Sequence, residues 1–206
     1  HVDDAAKINQ VIKEGIRHVA YTKGLRNIAL RLAIMLGVTA SLNAMLPVVA
    51  KDSLDVDASG FGVLAGALGI GAVLAVWLLP WLRNLMNAES MLLVAAVAWS
   101  TAVFGFALAR NMVFAVPALL LSGAALMVMI NTLFSTFIAV LPQHLRGRGS
   151  SIGMLMAWLG TSLGAFVWGL CASSTNVRDA LLISSVVTVL AGSANRIVLP
   201  LGAEAN

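Results

Sequence analysis

From residue 32 onward the chain alternates between long apolar runs and short polar breaks. The runs cover about 32–50, 60–82, 91–109, 112–141, 150–172 and 176–195. Most are close to the roughly 20 residues a helix needs to cross a bilayer. Nearly every charge sits in a break. A soluble helix keeps one polar face, and these runs offer none. The pattern therefore predicts an all-α membrane protein with six transmembrane helices and no strands. The fourth run is the longest. At about 1.5 Å per residue it reaches roughly 45 Å, so it must tilt, bend or protrude.

The breaks divide the chain. Residues 1–31 are polar and basic, and form a predicted amphipathic lead-in or linker. Ile8, Ile12, Ile16 and Val19 recur there at near-helical spacing among Lys7, Lys13, Glu14 and Arg17. That is the pattern of a helix lying on a membrane surface, and a solvated linker fits it equally. Residues 32–203 are the predicted bundle and 204–206 a short tail. Arg31 stands at the mouth of the first run, where it is expected to snorkel to the headgroups. Ser59 is the expected cap of the second helix. Asn176, with Asp179 three residues on, is the expected start of the sixth. The polar first residues lack the form of a signal peptide, so insertion is expected through the spans themselves.

Basic residues set the orientation, because Lys and Arg stay cytoplasmic. With the amino terminus inside, ten of them lie on the inner side, among them Arg83, Arg146, Arg148 and Arg196. Only three, Lys51, Arg110 and Arg178, lie outside. Both termini are then cytoplasmic and the expected location is a cell, or inner, membrane. Composition agrees: 60% of residues are hydrophobic and 11% charged, against a usual charged share of about 25%. The net charge of +4 is not gathered on a soluble face, so no nucleic acid partner is expected. The single Cys171 allows no internal disulfide and lies in an apolar run.

Candidate chemistry is sparse. The acids Asp52, Asp55, Asp57, Glu89 and Asp179 fall outside span centres, so no intramembrane proton relay is visible. Glu89 follows Gly69 by twenty residues and mimics a dinucleotide fingerprint. The glycine spacing and the absence of a preceding strand exclude that reading. His1, His18 and His144 have no ligand spacing, so neither a metal nor a cofactor is expected, and no catalytic pairing points to an enzyme. Glycines form two stripes, Gly62, Gly66 and Gly69 in the second run, and Gly153, Gly160 and Gly164 with Ala157 in the fifth. Such stripes let backbones approach where lipid gives no hydrophobic drive to associate. Neutral polar residues remain inside the spans: Asn43 in the first, Asn131, Thr132 and Ser135 in the fourth, and Thr161 in the fifth, with Trp158 as aromatic surface. These are either interhelical glue or the wall of a polar cavity.

Several segments carry a resemblance. They are Glu14-Gly15-Ile16-Arg17 with Leu25-Arg26, and Gly60-Phe61-Gly62-Val63-Leu64 running on through Gly66, Gly69 and Gly71. Pro80-Trp81-Leu82-Arg83 and Pro142 with Leu145-Arg146-Gly147-Arg148 complete the set. Over nearly its whole length the chain resembles the carboxy-terminal six-helix half of a major facilitator superfamily transporter. The similar branch holds the enterobactin exporter and related secretion and multidrug permeases.

The resemblance implies secondary active export of a small amphipathic or hydrophobic molecule, such as a siderophore or drug, by alternating access. It implies a partner, either an amino-terminal six-helix half or a second copy, embedded in membrane lipid. Arg83, Arg146 and Arg148 match inner gating loops. The acid common between the second and third spans of a half is replaced by Leu79-Pro80-Trp81-Leu82, which leaves that loop without its usual charge latch. The alternative from a different class is a non-transporting six-helix scaffold or partner subunit. The topology has a direct check. Single cysteines placed at Asp55 and at Gly147 should react with an impermeant thiol reagent from opposite sides of the membrane. Labelling of both from one side would overturn the orientation.

Overall fold

The computed structural model describes residues 22–141, 143 and 146–199, excepting the side chains of Lys23 and Arg148. Residues 1–21 of the lead-in expected over 1–31, the tail 204–206 and His144 lie outside the described residues, as do Pro142 and Leu145 of the basic loop. Six helices follow one another: α1 Lys23–Val48, α2 Ala58–Leu85, α3 Ala88–Leu108, α4 Met112–Val140, α5 Arg146–Ser174 and α6 Val177–Val198. All are long and apolar enough to cross a membrane. Among the described residues there is no strand. Because the helices alternate in direction, the start of α1 and the end of α6 share one face, here the terminal face. The α1–α2, α3–α4 and α5–α6 connections share the distal face.

Local chemistry sets the ends. Asn87, Asn111 and Asn176 each turn a side-chain oxygen onto a backbone N–H three residues on, opening α3, α4 and α6. At α2 the capping residue is Asp57, not Ser59. The Asp57 carboxylate accepts the Gly60 N–H at 2.8 Å and the Ser59 hydroxyl at 2.7 Å. The Gly60 bond, and then the Ser59 bond, hold the Asp57 pKa below the ordinary carboxylate value. Ser59 thus donates to the capping carboxylate instead of capping the helix itself. Pro47 supplies no N–H to the ladder of α1. Just beyond it the helix widens into a π turn over Val49–Ser53, and Asp55 reverses the chain with φ 48°. The first helix also begins at Lys23, well before the expected start at residue 32. The Lys23–Arg31 stretch is helical despite Gly24, because Leu25, Ile28 and Ala29 bury one face against Phe137 and Leu141.

The packing repeats itself. α1 lies most extensively on α5 and α2 on α4; α3 packs on α4 as α6 packs on α1. Exchanging α1–α3 for α4–α6 leaves this pattern unchanged, while the direction through the membrane reverses. The bundle is thus two inverted three-helix repeats, with α1 and α4 in contact and α2 and α5 as flanking arms. Glycine permits both arm contacts. A Cβ on Gly160 or Gly164 would strike the backbone of Ala33 or Gly37 in α1; one on Gly71 or Gly123 would strike Leu120 or Leu68 across the α2–α4 seam. Gly153 sits against the Phe137 ring.

The stripe expected in the second run differs. Gly62, Gly66 and Gly69 have nothing within 4 Å of an added Cβ. They point away from α4, about a quarter to a half turn from the buried Leu64–Ala67–Gly71–Ala75 row. Their face is the bare side of the arm.

Gly160→Leu should therefore drive α1 and α5 apart and lower stability by roughly 1–3 kcal/mol. Gly66→Leu should leave the melting temperature of the six-helix chain unchanged. Equal melting temperatures for the two variants in detergent would refute the assignment of the seams.

Candidate functional site

Two polar constellations stand out from the apolar bundle. The first lies at the terminal face. Arg31 is on α1, two turns in from Lys23, and Glu89 is in the first turn of α3. The guanidinium grips the carboxylate with two parallel bonds, Nη1 to Oε1 at 2.7 Å and Nη2 to Oε2 at 2.6 Å. Nη1 also donates to the Leu199 carbonyl, at the end of α6, at 3.2 Å. Arg31 is 1% exposed and Glu89 21%. The expectation that Arg31 snorkels to lipid headgroups is thus corrected. The helix starts earlier, so its ninth residue is drawn inside, and a carboxylate meets it there. Glu89 also gains from the positive end of the α3 dipole. Sequence reading set Glu89 aside, and the missed signal was an acid and an arginine at the same end of two spans.

The second constellation is a cleft of about 290 Å³ between α1, α4 and α5. Leu36, Leu126, Ile130, Phe134 and Met154 give it apolar walls. Asn43, Thr39, Thr161 and Trp158 give it polar and aromatic ones, and among the described residues no ionisable side chain lines it. Three of the sequence candidates, Asn43, Trp158 and Thr161, therefore meet in one place. The hydroxyls are already engaged: Thr39 donates to Met35 at 3.0 Å and Thr161 to Ala157 at 2.9 Å. Asn43 and Trp158 are exposed, and neither side chain has a hydrogen bond among the described residues. Pro47 stands four residues after Asn43, so the Asn43 carbonyl also loses its regular helical donor. An amide with unused donors and acceptors and a bare indole thus face the same open space.

The other candidates are placed differently. Asn131 donates to its own helix, at Met127 O, 3.1 Å away, and Ser135 donates to Thr132 O at 3.1 Å. Both lie on the row of α4 beside the lining row, a rotation of about 100°. Thr132 is buried within the bundle, and its hydroxyl has no partner among the described residues. It is a correction to the cleft reading, since one residue's step around the helix turns it into the core. Arg83 is exposed at the end of α2, and Arg146 is exposed with Nε donating to Leu141 O at 3.3 Å, closing the end of α4. The side chain of Arg148 lies outside the described residues. No group of three His, Cys, Asp or Glu side chains gathers among the described residues.

The flanks complete the geometry. Over their most apolar stretches 56% of α1 is buried in the bundle, against 28% of α2 and 11% of α5.

With this arrangement in view, the sequence matches the family described as transmembrane secretion effector over residues 4–205. The fold is similar to that of the fucose:proton symporter of E. coli, with a TM-score of 0.72 and 18% sequence identity. The likeness covers 89% of this chain and 44% of that one, so this chain spans under half of that transporter's length. The six helices form one half of a bundle of that type. No curated protein matches the sequence.

The ion pair generates a prediction independent of any activity. Arg31→Met removes the two parallel guanidinium bonds to Glu89 from a buried site, and should cost about 3 kcal/mol. The double change Arg31→Met with Glu89→Leu should recover most of that loss. A double variant no more stable than Arg31→Met alone, read by thermal unfolding in detergent, would show that the pair is not the partner set that matters.

Proposed function

The chain belongs to the transmembrane secretion effector family of the major facilitator superfamily, and from that premise we propose that it is the carboxy-terminal half of a secondary active exporter. The cargo is a small amphipathic or hydrophobic molecule, of the siderophore or drug kind. The open Asn43 amide beside Trp158 in the α1–α4–α5 cleft carries this reading. An asparagine inside a membrane costs several kcal/mol if it faces lipid with no partner. Within a scaffold it would be bonded to a neighbouring helix, as Ser41 is to Ser184 at 2.9 Å. Left open in a concavity, it is available to a solute. The apolar walls suit the rest of an amphipathic molecule, and the absence of ionisable lining favours a neutral portion of the cargo on this side.

The bare faces of α2 and α5, with the Gly62–Gly66–Gly69 stripe, support a matching six-helix half or a second copy as the partner. Small residues there would let its helices approach closely. The cleft then becomes one wall of a central cavity, and alternating access is rocking of the two halves about it. Arg83, Arg146 and Arg148, at the terminal face, would sit in the inner gating loops. In this reading both termini lie on the cytoplasmic side of a cell, or inner, membrane, and the residues before α1 are the lead-in from the preceding half. If protons drive export, their carrier lies outside this cleft, in the partner half or among the loop-edge groups of this one.

The test uses the full-length protein, reconstituted in liposomes and assayed for efflux of lipophilic dyes with and without a proton gradient. Asn43→Leu and Trp158→Ala should each lower export about tenfold or more, the loss of one good contact. Expression and melting temperature should stay unchanged, because neither side chain bonds the rest of the bundle. Full export by both variants would exclude the cleft as the cargo site.

A further inference from the structure

The distal face carries a second pocket, of about 150 Å³, apart from the cleft. Its walls come from three separate places in the chain. Ser53 ends the π turn after α1, Arg110 lies in the α3–α4 connection, and Arg178 is in the first turn of α6. Leu108 and Leu181 supply apolar surface. Among the described Lys and Arg residues, only Lys51, Arg110 and Arg178 lie on the distal side. Two line this pocket, and the third is in the π turn whose two end residues also line it. The scarce basic charge of this face is gathered at one point, and its acids, Asp52, Asp55, Asp57 and Asp179, do not line the pocket.

These arginines are unspent. Neither Arg110 nor Arg178 has an ion pair or hydrogen bond among the described residues. The acids close to them in sequence do not line the pocket. Asp179 is engaged by the Asn176 amide at 2.6 Å, and Asp52 is in the exposed outer part of the π turn. Arg178 also stands at the positive end of the α6 dipole, where a cation is disfavoured and an anion is welcome. Two guanidinium groups and a hydroxyl around one cavity match the oxygens of a phosphate group, which arginine holds through paired bonds. At about 30 Å³ per water, the volume equals roughly five waters, enough for a phosphate group.

We propose that this pocket binds a phosphate-type oxyanion on the distal face, and that the apolar walls favour the phosphodiester of an anionic lipid in the adjoining leaflet as its source. Bound there, the headgroup ties together the π turn after α1, the end of α3 with its following connection, and the start of α6. The proposal is independent of the export reading, since it concerns a different pocket.

The experiment uses the full chain, purified in detergent and stripped of lipid, and titrated in separate arms with phosphatidylglycerol and inorganic phosphate. Native mass spectrometry and the rise in melting temperature report binding. Phosphatidylglycerol should bind and stabilise the chain. Arg110→Gln with Arg178→Gln should weaken it about a hundredfold, roughly tenfold for each charged contact. Arg196→Gln, on the other face, should not weaken it. If the double variant fails to fold, Arg110→Gln alone should still show the tenfold loss. Saturation by inorganic phosphate at micromolar concentration without lipid binding would support the same site with a free anion as its source. Unchanged affinity in the arginine variants, or an equal loss in Arg196→Gln, would overturn the proposal.

Discussion

Close approach of helix backbones is the constraint on which this bundle depends. Lipid tails are as apolar as the side chains they touch, so burying leucine against leucine gains little; helices must instead come near enough for many weak contacts at once. Gly37, Gly160 and Gly164 allow that between α1 and α5, and Gly71 with Gly123 allows it between α2 and α4. The two seams are counterparts under the inverted repeat. Each fastens an arm of one repeat to the leading helix of the other. The separation of α1, α4 and α5, and hence the cleft between them, follows from where those arms are held.

Polar side chains divide along the same lines. Between α1, α3 and α6 hydroxyls are engaged within the bundle, while the buried Trp99 and Asn195 side-chain nitrogens have no partner among the described residues. Ser41 bonds Ser184, Ser100 bonds the Ser185 carbonyl, and Thr188 bonds the Ser184 carbonyl. There each hydroxyl relieves a neighbour's need in a medium without water. Facing the cleft, Asn43 and Trp158 keep their capacity open. The same residue classes thus hold one side of α1 together and leave the other side receptive.

The helices were legible in the sequence because spanning length is a one-dimensional property. An apolar run either covers the bilayer or does not, and the asparagine at 176 marks its end of α6 by local chemistry alone. Faces were harder to read. Gly69 and Gly71 are two residues apart, yet one is bare and the other seals a seam, because which side of α2 meets α4 depends on tertiary packing. Gly37 and Gly123, the other halves of the seams, were visible as small residues but had no stripe to mark them. Asn43, Trp158 and Thr161 were found because an interruption in an apolar run is conspicuous. Thr132 is equally conspicuous and turns inward. The start of α1 at Lys23 and the partnership of Arg31 with Glu89 needed the fold, since no local pattern spans 58 residues.

That separation has a consequence for how the chain is made. At about 5–20 residues per second, Glu89 emerges from the ribosome roughly 3–12 s after Arg31. During that interval α1 carries a charge whose partner does not yet exist. An arginine near the helix end can wait in the headgroup region, with its stem in the hydrocarbon and its guanidinium in water. The pair can form only once α3 has been made, and the Leu199 carbonyl joins it only after α6. Membrane insertion of α1 and its final docking are thus separate events in biogenesis, ordered by the position of one glutamate in the sequence.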